Sequence, residues 1–322
     1  MISITGGGVF TRQNINDLNA NFEELSGSSG TSPTGLSVWV RPSYGSDANP
    51  GTYDQPLATM AGASRYIVPG LTIYVEGVIK EEFTTPIVND VSIVGVGNRP
   101  RQATTSGAPN GGGATWLSPS GGTGSLLTIR GQAWRVQNIY FNNTATGATT
   151  AGVKLVGGGD PPLTADAGHT AIYGCVFTGE ANGIYIDGGP GFLDIQGNTF
   201  YFFDSTGDCA ILAGGSGGTG YGTRIVGNYF ESNLTHIKAL ATAYSWKVIG
   251  NHFSYISGGV TTGVFLDFTG GNQNSVFQNI FDVNSGNGGI ATMFVQGTDD
   301  RWGGNTLSSA VTTTIFSFGD PA

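Results

Sequence analysis

The phrase Gly197-Asn198-Thr199-Phe200 returns as Gly227-Asn228-Tyr229-Phe230 and as Gly250-Asn251-His252-Phe253. Looser copies are Gln278-Asn279-Ile280-Phe281 and Gly304-Asn305-Thr306-Leu307. An earlier one, Gly174-Cys175-Val176-Phe177, puts cysteine in the asparagine column. Successive copies lie 23, 30, 23, 28 and 26 residues apart. A period in the twenties to thirties marks a solenoid, whose coils bury their apolar faces only against neighbouring coils.

Composition agrees with many short strands joined by tight turns. Of 322 residues, 55 are glycine without collagen's every-third spacing, and 39% hydrophobic content excludes a disordered polymer. The net charge is −9 and no basic run exists in the sequence, which argues against non-specific nucleic-acid binding. Cys175 and Cys209 cannot form a disulfide framework and read as buried thiols on strands of neighbouring coils. No apolar run reaches the roughly 18 residues of a membrane span. Met1–Phe10 lacks the basic and apolar regions of a secretory signal. These features predict a protein made in a cell's cytoplasm, without membrane insertion, and released as part of a particle.

The recurring asparagine has a mechanism. Asparagine tolerates the left-handed conformation of a sharp turn, the preceding glycine permits the bend, and stacked amides bond along the column at the strand spacing of ~4.8 Å. Asn198, Asn228, Asn251, Asn279 and Asn305 therefore read as a structural ladder. In the strand after each phrase, alternation puts Ile184, Ala210, Ile237 and Val264 in one inward column, and Ile186, Leu212, Ala239 and Leu266 in the next. Between them Tyr185, Ile211, Lys238 and Phe265 point outward. Ile211 and Phe265 on an outer face predict a covering surface such as another subunit.

The N-terminus follows a different rule. Ile15, Leu18, Phe22 and Leu25 form one helical stripe after a candidate N-cap, Thr11. Such a helix is marginal alone in water and needs a partner, either its own domain or other chains. Residues 26–35 (GSSGTSPTGL) read as a linker. This leaves 1–25 as an attachment or oligomerisation segment and 36–322 as the solenoid. Residues 36–66 form its N-terminal cap, in which Pro56 opens a short helix through Met60 and Ala63. Val311–Phe318 reads as a last strand.

The run GSDANPGTYDQPLAT (45–59), set between a strand and a short helix, resembles the beginning of right-handed parallel β-helix proteins of the pectate-lyase-like and phage tailspike-like families. Leu71–Val75, Val91–Val96 and Leu126–Ile129 fit its early strands, and VSIVGVG (91–97) is similar to an early coil. The GN-x-F column is similar to the asparagine ladder of that fold. The resemblance covers roughly residues 36–310. It implies an all-β, right-handed, single-stranded parallel β-helix preceded by a short helical attachment segment. The segment GGGVFTRQNINDLNANFEEL (6–25) also resembles the start of phage virion proteins.

Glycan cleavage needs two carboxyl groups, about 5–5.5 Å apart for retention or 6.5–9.5 Å for inversion. Asp187 and Asp267 read as sharing a column three coils apart, a separation of ~14 Å that is too long. Glu180, Asp204, Asp208 and Glu231, in loops of three successive coils with His236 nearby, are the candidate acids; the competing reading is solvated turn residues. Tyr201, Tyr221, Tyr244 and Trp246, beside Phe202, Phe203 and Tyr255, are candidates for stacking on sugars or for filling core and interface. The insertion 156–169 carries Asp160, Asp166 and His169, whose spacing fits no calcium-loop motif, so no metal or cofactor is expected. The sequence thus predicts a surface protein of a phage virion, a homotrimer held to other virion proteins by residues 1–25, on the capsid or tail. Binding of host polysaccharide is open to it. The alternative is a tailspike glycan depolymerase, hydrolase or lyase.

Overall fold

The computed structural model describes residues 36–97, 113–158, 165–203, 207–215, 220–240, 243–255, 264–283, 292–295 and 297–307. The attachment segment, the linker, Asp160, Asp204 and Val311–Phe318 lie outside the described residues.

One coil shows the plan. The chain runs through Ala171–Tyr173, turns at Gly174-Cys175, continues as Val176–Gly179, then Asn182–Asp187, and returns as Asp194–Gln196 beside Ala171–Tyr173. Repetition stacks these strands into sheet 1 (ten strands), sheet 2 (nine) and sheet 3 (eight), every pair parallel to its neighbour in the next coil. Parallel crossovers of this kind are right-handed. The chain is a right-handed parallel β-helix. The early strands fall at Thr72–Val75, Ser92–Gly95 and Leu127–Ile129.

The phrase sets the core. Its phenylalanine is the inward residue of sheet 2, where Trp116, Phe141, Phe177, Phe200, Phe230, Phe253 and Phe281 stand in register. Their rings stack at 4.8–5.7 Å, and all are fully buried. Such offset pairs add about 0.5–1.5 kcal/mol each beyond burial.

The asparagines form the ladder: each of Asn198, Asn228, Asn251 and Asn279 donates its backbone N–H to the side-chain oxygen of the next, ending on Asn305. The left-handed residue is the one before the asparagine, not the asparagine itself. Gly197, Gly227, Gly250 and Gly304 have φ between 61° and 64°, and Gln278 takes the same conformation at 55°. This frees the asparagine side chain to turn inward. Cys175 also differs from expectation: it sits at this turn, ahead of the strand, where its N–H donates to Asn198. Cys209 does lie on a strand, in Cys209–Gly214, and both thiols are buried.

Register corrects the outer column of sheet 3. Ile211 pairs with Ile184 and Ile237, and Ile237 with Leu266, so the inward column is Ile184, Ile211, Ile237, Leu266. Alternation is broken at the start of these strands, where His236 and Ile237 are both buried. Ile211 and Phe265 are therefore core residues with no exposure, and they give no ground for a covering subunit. The outward column is Lys154, Tyr185, Leu212, Lys238, Asp267. Asp187 stands beside Gly214 in a different column from Asp267. Each aspartate meets a lysine instead, Asp187 with Lys154 at 2.8 Å and Asp267 with Lys238 at 3.7 Å.

A helix at Met60–Ala63 packs Met60 and Ala63 into the core at the first coil. The helix begins after Thr59, its N-cap, and not at Pro56: the Thr59 hydroxyl accepts from Gly62 N–H at 2.8 Å, while Glu81 accepts from Met60 N–H. These bonds satisfy donors that a helix start leaves open.

Candidate functional site

The outer face of sheet 2 carries two rows of side chains. The variable residue of each phrase gives the first: Val176, Thr199, Tyr229, His252 and Ile280. The residue after each phenylalanine gives the second: Tyr201, Glu231, Ser254 and Asp282 in direct register. Both rows point outward because the phenylalanine between them points in.

These rows bring unlike groups together. The Tyr229 hydroxyl lies close to Glu231 and Ser254. Burial pushes the Glu231 carboxyl above its ordinary value, offset in part by the nearby Tyr229 hydroxyl. Burial, then the neighbouring Glu231 charge, raises the Tyr229 phenol too. His252 stands edge-on to Tyr229, ring centroids 5.1 Å apart, and Tyr201 lies on the other side at 6.2 Å. Exposed Phe202 and Ile280 border the patch. Two strand spacings separate Glu231 from Asp282, about 9.6 Å between backbones, near the upper end of the separation for carboxyls that act on opposite faces of a sugar. A half-buried acid biased toward its protonated form, a second carboxylate and flanking rings can hold a sugar and donate a proton to it.

The other sequence candidates fall elsewhere. Glu231 is on the strand Tyr229–Glu231, not in a loop. Glu180 is exposed at the end of Val176–Gly179, and Asp208 is buried beside Cys209 at another corner. Burial pushes the Cys209 thiol up to about 12, which leaves it unreactive. His236 is a core residue: fully buried, it packs on Phe230, Phe253 and Phe265 and meets the Asn233 amide at 2.9 Å. Trp246 is also core, 1% exposed, with its indole N–H donating to the Gly220 carbonyl. Tyr221 and Tyr244 sit together on the corner before sheet 1, edge-to-face at 5.2 Å. Asp166 is held by Gln132 and by Gly168 N–H, and His169 stacks on Phe192. Among the described residues no three His, Cys, Asp or Glu side chains gather as a metal site.

No protein-family model matches the chain, and no curated protein sequence matches it. Solved structures of similar shape include a GH136 lacto-N-biosidase from Eubacterium ramulus, at 12% identity and TM-score 0.41, over 92% of this chain and 63% of that one. A pectin methylesterase from Aspergillus niger matches at 14% identity and TM-score 0.41, over 91% and 94%. The tailspike gp49 of Acinetobacter baumannii bacteriophage Fri1, a capsular polysaccharide depolymerase, matches at 10% identity and TM-score 0.38, over 78% and 58%. The chain thus spans under two thirds of the lacto-N-biosidase. At these identities the likeness is one of fold.

Tyr229, His252 and Asp282 escaped the sequence reading. Their signal was present: a residue that varies beside an invariant inward one in a repeat marks the outward surface.

Proposed function

We propose that this chain is a surface component of a phage particle that binds host-surface glycan across the outer face of sheet 2. The observation that carries the reading is the patch itself, Glu231 close to Tyr229, which stands between Tyr201 and His252, with Asp282 in the same row as Glu231. Rings stack on the apolar faces of sugars, and carboxyl and hydroxyl groups bond their hydroxyls. The separate apolar stripe Ile15, Leu18, Phe22, Leu25 and the linker after it support attachment to the particle and assembly as a homotrimer.

A second reading, hydrolysis, is favoured by the raised Glu231 carboxyl two coils from Asp282. Glu231 would protonate the leaving oxygen and Asp282 would activate water on the other face.

The test is a panel of bacterial capsular polysaccharides and lipopolysaccharide O-chains, scored for binding by calorimetry and for new reducing ends. Binding that weakens at least tenfold in Glu231→Gln, with no reducing ends, supports recognition. Reducing ends from the wild type that vanish in Glu231→Gln and Asp282→Asn support hydrolysis. Binding unchanged in both variants overturns the site. Light scattering at about three times the 33.2 kDa chain mass supports the trimer.

A further inference from the structure

Sheet 1 turns a different surface outward. In its row nearest the preceding corner, Arg135, Ala171, Asp194, Arg224, Lys247, Ser275 and Arg301 follow one another in register. Four of the chain's 13 lysines and arginines thus stand in one line on a protein of net charge −9. No run of basic residues reveals this, since the cations lie whole coils apart in sequence and come together only through the parallel stacking. Arg135 is paired with Asp90 at 3.2 Å and Arg224 with Asp194 at 3.6 Å. Lys247 and Arg301 are exposed and form no ion pair among the described residues.

Two apolar rows flank the cations. On the corner side stand Tyr221, 48% exposed, and Tyr244 in the next coil. On the other side stand Val226, Ile249 and Phe277, in register and half-buried. Cations one and two strand spacings apart, ~4.8 and ~9.6 Å, match the pitch of an extended chain of sugar rings. The flanking rings and alkyl groups offer stacking surface. A polyphosphate has a higher charge density, and the acidic body of this protein opposes it.

We propose that the outer face of sheet 1 between coils 221 and 301 binds an acidic polysaccharide, with Arg224, Lys247 and Arg301 on its carboxylates and Tyr221 and Tyr244 against its rings. This surface is separate from the sheet 2 patch. The experiment therefore uses the full chain carrying Glu231→Gln and Asp282→Asn, so that only the sheet 1 face is read. The probes are alginate fragments, dextran of matched size and a single-stranded oligonucleotide, each titrated at two salt concentrations. Alginate binds, more weakly at higher salt, and dextran does not. Lys247→Gln with Arg301→Gln weakens alginate at least tenfold. The charge-matched control, Arg65→Gln with Lys80→Gln at the exposed cap and first coils, changes it less than twofold. Tyr221→Ala weakens alginate several-fold and leaves the salt slope unchanged. Unfolding midpoints within a degree or two of the parent establish that the variants are folded. Equal loss in the two charge pairs overturns the proposal, as does tighter binding of the oligonucleotide than of alginate.

Discussion

Asn228 accepts two hydrogen bonds from Asn198 on one side-chain oxygen, from the backbone N–H at 2.9 Å and the amide at 3.1 Å. It passes the same pair to Asn251 at 2.9 and 3.0 Å, and its amide also donates to the Ile195 carbonyl. Each link is buried. Asn228→Ala leaves the Asn198 backbone N–H without a partner and removes the side-chain bond to the Ile195 carbonyl. At about 1–3 kcal/mol for the buried orphan and about 1 kcal/mol for the lost bond, the loss is roughly 2–4 kcal/mol. Asn305 is partly exposed, and water replaces its bonds, so Asn305→Ala costs about 1 kcal/mol. Urea denaturation compares the two, and equal costs would count against a cooperative buried ladder.

Phe230 stacks at 4.8 Å on both Phe200 and Phe253 and also touches His236. Removing it opens a cavity in the middle of the column, where neighbours are held by their own strands and collapse little. Phe230→Ala is expected to cost about 3–5 kcal/mol. Phe230→Leu should cost distinctly less. If both variants unfold at the same denaturant concentration, stacking and volume are not what the column contributes.

The ladder and column were legible because each coil repeats its phrase at a turn of fixed geometry. What failed was phase. The turn between sheets 2 and 3 varies in length, so alternation counted from Phe177, Phe200 or Phe253 slips before the next strand. Such counting puts Ala210 inward in the column that Ile211 occupies and Phe265 outside, where it is in fact core. The candidate site was half legible. Glu231 and Tyr201 stand out in the sequence as acid and aromatic, whereas Tyr229 and His252 sit inside a phrase whose repeat is structural. The sheet 1 cations could not be found without register, since Arg224, Lys247 and Arg301 become neighbours only when sheet 1 stacks.

Burial lowers the pKa of His236 well below its ordinary value. The folded protein holds this ring neutral where the unfolded chain protonates it. Its contribution is therefore present above about pH 6.5 and is lost as pH falls, at up to about 1.4 kcal/mol per unit. Glu81 and Glu231 shift the opposite way, burial raising both carboxyls, so protonating them favours the fold. The difference between wild type and His236→Gln isolates the histidine. Unfolding free energies from pH 7.5 to 5 should fall more steeply for the wild type, and parallel curves would refute the assignment.

Gly227 and Gly183 separate two reasons for glycine. Gly227 has φ of 62°, and a Cβ there meets nothing within 4 Å. Gly227→Ala therefore has only the left-handed backbone to overcome, roughly 1–2 kcal/mol. Gly227→Asn should recover part of that, since asparagine visits this region readily. Gly183 is the reverse: a Cβ there lies 2.6 Å from the Ala210 carbonyl oxygen and 2.9 Å from the Phe200 ring. Gly183→Ala must push the strand off its neighbour or the ring out of the column, which costs about 1–3 kcal/mol or more and no choice of turn-forming residue relieves it. Asparagine at both positions decides the matter by thermal unfolding. Gly227→Asn should stay close to wild type while Gly183→Asn falls well below Gly183→Ala. The opposite order would mean that backbone conformation, not the approach of the next coil and Phe200, sets the requirement at Gly183.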